Sequence, residues 1–219
     1  MVENKLIPAL KKRLQLPLPG KNAQYRMATT PRKPYKHKKV PEQVRLASVL
    51  CLLYAKNDQW HFPLIQRVVT HKDKHSGQMS FPGGKVEPTD HTLQYSALRE
   101  AHEEIGVLKE DVDIIGSLTP LYIPVSNFHV HPFIGFLNYT PTFRPQLSEV
   151  AEVVEVSLNS LLAPTTKKQK SMSFQNKYQL KNVPYFDVNK KTVWGATAMM
   201  LNELVEIIHQ LNNSTIKNT

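Results

Sequence analysis

Between His91 and Gly106 the sequence describes a helix whose two faces require opposite surroundings. At about 100° per residue, Glu100, Glu103 and Glu104 share an arc of about 100°, while Leu98, Ala101 and Ile105 gather roughly 100–160° away. The apolar side has to be buried, with the acidic side directly beside it. Gly106 is the residue type that ends such a helix in a left-handed turn. Any fold of this chain must therefore cover one side of the helix with other elements and keep its carboxylates reachable. Like charges at i,i+3 and i,i+4 destabilise an isolated helix by roughly 0.2–0.5 kcal/mol per pair. A divalent cation cancels that repulsion, and an all-oxygen donor set points to Mg2+ or Mn2+ over Zn2+. For three glutamates taken alone, a solvated acidic face is the competing reading.

The flanking periodicities supply what could cover the helix. Arg45–Tyr54 reads as a buried strand, Asn57-Asp58 as a turn, and Trp60–Arg67 as the hairpin partner. Shorter strands are expected at Val112–Leu118, His129–Leu137 and Val150–Val156, and a helical turn at Leu158–Leu162 that leads into a polar stretch. Val183–Val188 reads as another strand. Trp194–Leu211 closes the chain as an amphipathic helix with Ala198, Leu201, Leu204, Val205 and Ile208 on one face. This order implies an α+β fold with helices on both sides of a mixed sheet.

The 219 residues fit one domain with an extension. The formal charge of +10 suggests nucleic-acid binding until it is mapped. Residues 1–40 hold eleven Lys or Arg against Glu3 alone; the rest of the 28 bases and 18 acids, seventeen of each, balance. The excess belongs to a basic, proline-interrupted N-terminal arm (1–41), before the domain (42–212) and a polar tail (213–219). Within the arm, Lys5–Leu16 reads as a short helix with Leu6, Ile7, Leu10 and Leu14 on one side, stopped by Pro17, Pro19 and Gly20. The stretch through Pro41 reads as extended or partly mobile. A basic arm without a recognised module argues against nucleic acid as the main partner, and whether it pairs two copies in a homodimer is left open. No apolar run approaches the roughly 18 residues that span a bilayer, and no secretory leader pattern follows the N-terminus. Cys51 lies within an apolar run as a buried thiol, so a cytoplasmic location is expected.

The neighbours of the acidic helix decide between its two readings. Gly83-Gly84 and the run Arg99-Glu100-Ala101-His102-Glu103-Glu104-Ile105-Gly106-Val107 together resemble the Nudix box. That box has the form Gly, five residues, Glu, seven residues, Arg-Glu-aliphatic-x-Glu-Glu-x-Gly-aliphatic. Asp90 stands at the first acidic position, with eight residues separating it from Arg99, one more than the general pattern. The resemblance implies a Nudix-type α/β/α sandwich that hydrolyses nucleoside diphosphates linked to another moiety. It further implies that Glu100, Glu103 and Glu104 hold the metal with the Gly84 carbonyl as a further ligand. Glu100 would be the base for the attacking water, and Arg99 would orient the glutamates.

Upstream, Leu64-Ile65-Gln66-Arg67 followed by His75-Ser76-Gly77-Gln78-Met79-Ser80-Phe81-Pro82-Gly83-Gly84 resembles the coenzyme A pyrophosphatase branch, which shares the inserted residue. The two arginine positions of that signature hold Val68 and Asp73, with Arg67, Lys72 and Lys74 adjacent. Val183-Pro184-Tyr185-Phe186 and Trp194-Gly195-Ala196-Thr197-Ala198 also look like bacterial members. The resemblance implies a CoA-like small-molecule substrate, with Arg67, Lys72, Lys74, His75, Gly77, Gln78 and Phe81 as candidate contacts. Glu149 and Glu152 are candidates for an extra base or metal ligand. The alternatives are a Nudix hydrolase of another dinucleotide or nucleotide sugar (NADH, ADP-ribose) and a Nudix-fold binding module without catalysis. His129 and His131 share one strand face, which reads as a polar face before a zinc site.

Overall fold

The computed structural model describes residues 5–30, 41, 43–69, 76–174 and 178–216, with the side chains of 174, 178 and 214–216 excepted. In chain order, helices α1 (Leu6–Arg13) and α2 (Gly20–Gln24) precede strands β1 (Arg45–Lys56), β2 (Gln59–Arg67), β3 (Met79–Ser80) and β4 (Gly83–Lys85). Helix α3 (Leu93–Ile105) follows, then β5 (Asp113–Ser117), β6 (Leu121–Ile123), β7 (Phe128–Phe136) and β8 (Val150–Ser157). A short helix α4 (Leu158–Leu162), strands β9 (Lys167–Phe174), β10 (Tyr178–Val188) and β11 (Lys191–Trp194), and the long helix α5 (Gly195–Ile216) complete the order.

The continuous apolar run of β1 is explained by helices on both of its faces. Leu50, Leu52 and Tyr54 point into a core shared with Ala97, Ala101 and Ile105 of α3. Cys51 and Leu53 point the other way, into a core filled by Ala198, Leu201, Leu204, Val205 and Ile208 of α5. The layers are therefore α/β/α, and the sheet is mixed. β1 runs parallel to β7 from Arg45↔Phe128 to Leu53↔Phe136. Along its opposite edge it pairs antiparallel first with β4, from Ala47↔Lys85 to Val49↔Gly83, and then with β2, from Tyr54↔His61 to Lys56↔Gln59. β2 turns back on β1 through Asn57 and Asp58, both at positive φ (50° and 56°), as a type I′ hairpin requires. β2 and β4 thus share one edge of β1 and part from each other along it.

The acidic helix forms as its periodicity implies, starting at Leu93 because Thr92 caps it: its Oγ1 accepts a bond from the Tyr95 N–H at 3.0 Å. Gly106 ends it at φ 73°.

Residues 5–30 do not stand apart from the domain. Leu10 and Met27 are buried in the α5-side core, and 20–27 is a helical turn followed by a 3-10 turn where an extended stretch was expected. The tether is Glu203, a fully buried residue of α5. Its carboxylate accepts bonds from Gly20 N (3.0 Å), Gln24 Nε2 (2.9 Å), Thr119 N (3.1 Å) and Thr119 Oγ1 (2.6 Å). A buried carboxylate persists when its lone pairs are satisfied in this way. Two other differences concern polar sequence. The polar stretch after α4 contains strand β9, and α5 runs on to Ile216, into the polar tail expected from residue 213. Among the described residues, no helix is long and apolar enough to cross a membrane.

Candidate active site

Where β2 and β4 part, the outer face of α3 looks into a cleft of about 480 Å3 lined by Arg67, Gly83, Gly84, Lys85, Glu87, Arg99, Glu100, Glu103, Glu104, Gln146 and Glu149. Arg99 is its organising residue. It holds Asp90 with two parallel bonds, Nε to Oδ1 at 2.8 Å and Nη2 to Oδ2 at 3.0 Å. It also donates to Glu103 Oε2 at 2.9 Å and to the Lys85 carbonyl at 3.2 Å, and lies 3.0 Å from Glu100 Oε1. The bonds that Arg99 donates hold Asp90 well below the usual carboxylate range, and the same bonds hold Arg99 firmly protonated. Asp90 also accepts from the Glu87 N–H at 2.8 Å, which closes the turn just before the segment carrying the extra residue.

Glu104 is almost completely buried, and burial pushes its pKa up to about 8 against the Gly83 N–H, which donates to its Oε2 at 2.8 Å. Arg67 Nη1 stands 3.7 Å from its other oxygen. Glu100 is raised as well, by burial first, with Arg99 opposing. Space requires glycine at Gly83, and at Gly84 it sets where the Glu100 carboxylate can lie. A Cβ on Gly83 would fall on the Ser48 carbonyl and the Val49 Cα, and one on Gly84 would come to 2.6 Å from the Glu100 carboxylate.

Glu149 reaches the cleft by two devices. Past Gln66↔Glu152, Arg67 pairs with Val150, so Ala151 is an extra residue in β8 and forms a bulge. The segment before it is pinned to the end of α3, with Arg144 N donating to Ile105 O and Gln146 N to Glu104 O, each at 2.9 Å. These bonds use helix-end carbonyls that have no partner within the helix.

The sequence-derived candidates separate clearly. Arg67, Gly84, Arg99, Glu100, Glu103, Glu104 and Glu149 meet in the cleft. Glu152 does not: its Oε2 is 2.5 Å from Lys191 Nζ, across the sheet from α3. Phe81 is not a substrate contact either, being fully buried with its ring 6.2 Å from that of Phe62. Gly77 and Gln78 lie beside the cleft, the Gln78 carbonyl accepting from Arg67 N at 3.1 Å. Lys72, Lys74 and His75 fall outside the described residues. His129 and His131 stack edge to face at 4.7 Å, away from the cleft lining. Lys85 follows Gly84 directly and Glu87 lies three residues after it, so both could have been inferred from that proximity. Gln146 carried no sequence signal, since the position of its loop depends on the end of α3.

As they stand, no three His, Cys, Asp or Glu side chains among the described residues converge on one point, and Glu103 is turned onto Arg99. The fit to a cation is one of charge and donor type. The lining presents five carboxylates against three cationic side chains, all with oxygen donors, an excess that suits one hard divalent ion.

An acidic helix packed on a mixed sheet, with a Gly-Gly turn against its glutamates, is a setting whose oxygen donors suit a hard divalent cation. Residues 44–175, well over half of the chain, match the model of the NUDIX domain, and the chain belongs to the Nudix hydrolase family. A protein of Pectobacterium atrosepticum called uncharacterized Nudix hydrolase NudL is 37% identical over 131 residues, covering 60% of this chain and 67% of the relative. A protein of the same name from an Enterobacter species is 36% identical over 141 residues, covering 64% and 72%. Among solved structures, a MutT/nudix family protein from Enterococcus faecalis is similar at a TM-score of 0.49 and 16% identity, over 81% of this chain and 66% of that one. The protein is a Nudix hydrolase of nucleoside-diphosphate-linked substrates.

Proposed function

We propose that the chain is a pyrophosphatase of coenzyme A or its acyl thioesters, releasing 3',5'-ADP and (acyl-)4'-phosphopantetheine. The observation that carries the reading is the segment Gly77-x-x-x-Phe81-Pro82-Gly83-Gly84, joined to a box whose extra residue lies in the loop that Asp90 closes onto Arg99. Glu100, Glu103 and Glu104, with the Gly84 carbonyl, would hold Mg2+ or Mn2+, and Glu149 would add a ligand or base. When bound, the ion neutralises the diphosphate and acidifies the attacking water. Arg99 holds Glu100 and Glu103 in position, Glu100 takes the proton of the attacking water, and Arg67 faces the phosphate oxygens. This division of labour suits phosphoryl transfer, where positioning and electrostatics supply most of the catalysis.

The test is product analysis with purified protein and Mg2+ or Mn2+. The expected result is 3',5'-ADP from CoA. Turnover of NADH or ADP-ribose with CoA left intact would overturn the substrate assignment and leave the hydrolase class standing.

A further inference from the structure

We infer that Ser48 is a positioning residue of this site, its hydroxyl donating to the Glu100 carboxylate when that group serves the cleft. The inference rests on the role of Glu100 and not on which diphosphate is cleaved.

Ser48 is the one polar side chain between Leu46 and Leu53, within the apolar run of β1. It is fully buried, and its Oγ has no hydrogen-bond partner among the described residues. A buried hydroxyl in that condition destabilises a fold, a cost that alanine at the same place would avoid. Side chains that break this rule are expected at functional sites.

The register of β1 aims Ser48 at Glu100. Leu50, two residues on, points into the core shared with Ala97 and Ala101 of α3, so Ser48 faces the same helix. Across the ladder Ser48 pairs directly with Gly84. Residues opposed in this way present their side chains on one face, with Cβ atoms about 5 Å apart. Glycine has no Cβ, and the Glu100 carboxylate lies in the space this leaves, both oxygens 2.6 Å from where a Cβ would stand. Ser48 is thus the neighbouring side-chain position on the strand beneath that carboxylate. Along its other edge Ser48 pairs with His131, whose ring is packed on that of His129 at 4.7 Å.

The two groups have complementary shortages. Glu104 has the Gly83 N–H at 2.8 Å, and the Glu203 carboxylate accepts four bonds. Glu100, with only 14% of its side chain exposed, has Arg99 Nη2 at 3.0 Å from Oε1 and no second donor among the described residues. Arg99 is also committed to Asp90, Glu103 and the Lys85 carbonyl. A hydroxyl on the β1 side supplies a donor without a charge, so it can fix the carboxylate without competing with a cation for it.

The experiment compares the full chain in wild type, Ser48→Ala and Ser126→Ala. Ser126→Ala removes another buried hydroxyl that has no partner among the described residues, in the turn between β6 and β7 and outside the cleft lining. Turnover of CoA at saturating Mn2+ gives kcat and KM, calorimetric titration with Mn2+ alone gives its affinity, and melts in chelator give stability. Ser48→Ala is expected to lose about 10–100-fold in kcat and to bind Mn2+ more weakly, with KM little changed. Its melting temperature should be no lower than that of wild type, since a destabilising hydroxyl has gone. Ser126→Ala should keep the wild-type kcat and Mn2+ affinity. Unchanged kcat and Mn2+ affinity in Ser48→Ala would overturn the inference. So would a loss of kcat accompanied by a lower melting temperature, the mark of a hydroxyl that serves only the fold. If wild type leaves CoA intact, the substrate reading falls, and the Mn2+ titration alone decides this one.

Discussion

Asp90 and Arg99 are joined by two parallel hydrogen bonds across the eight residues that separate them. The extra residue relative to the general Nudix box is therefore accommodated before the helix begins, and the catalytic face keeps its spacing. The same guanidinium then bonds Glu103 and Glu100, so the pair sets the direction of two glutamates at once. Asp90→Asn is expected to lower activity about 10–100-fold, the usual loss when a residue orienting metal ligands is removed. It should also destabilise the fold by about 2 kcal/mol, since Arg99 keeps its other carboxylates. Steady-state kinetics and urea titration check the two halves.

Metal addition should be visible as stability. With five carboxylates facing three cations in the cleft, Mn2+ at a hundred times its dissociation constant is expected to add about 2.7 kcal/mol. Glu103→Gln should abolish most of that increment and lower turnover by on the order of 10²–10⁴-fold. Thermal melts with and without chelator decide this. An unchanged metal response in the variant would remove Glu103 from the ligand set.

Gly84→Ala isolates geometry from chemistry. The new methyl would sit 2.6 Å from the Glu100 carboxylate, which must move. Activity is expected to fall roughly 10²-fold, since an error of about 1 Å in a reacting group costs that much. The melting temperature should change by only a few degrees. A variant with full activity would show that Glu100 need not hold its position against Gly84.

Glu155 provides a pH test remote from the cleft. Burial opposes its ionised form, but the Lys56 ammonium at 2.7 Å and the Tyr54 hydroxyl at 2.6 Å prevail and hold its pKa below the ordinary value. Its contribution to stability is therefore present above the unfolded-state pKa of about 4.3 and is lost as pH falls through the lower folded-state value. Glu155→Gln should cost about 1 kcal/mol at neutral pH and less below pH 4. Urea unfolding at pH 7 and pH 3.5 measures the difference.

Glu203→Gln should be the most destabilising of these changes. It would turn one acceptor into a donor amid four donated bonds, at a cost of about 3 kcal/mol. That corresponds to roughly 6–12 °C in Tm for a domain of this size. Calorimetry would detect it.

The comparison of sequence with structure has a consistent physical cause. Helix α3, the apolar run of β1 and the Asn57-Asp58 hairpin were legible because each follows from a local pattern or a local backbone preference. Strand β9 was not, since Lys167, Lys168, Gln169 and Lys170 at an exposed sheet edge have no buried face to mark them. Glu203 carries no local signal in the sequence, and its burial depends on residues more than 80 positions away. The same distance effect hid Gln146 and the bulge at Ala151. Phe81 was misassigned because it sits in a motif, while the space available to its ring is set by Phe62.

The Glu203 network also constrains when the protein can fold. Gly20 and Gln24 are among the first described residues and Glu203 among the last, and Arg13 bonds Gln210 at 2.7 Å on the same helix. An emerging chain would carry Leu10 and Met27 exposed until α5 had left the ribosome. At the usual 5–20 residues per second, that wait lasts on the order of ten seconds or more. Translation speed and chaperone access over that interval should therefore govern the yield of active enzyme.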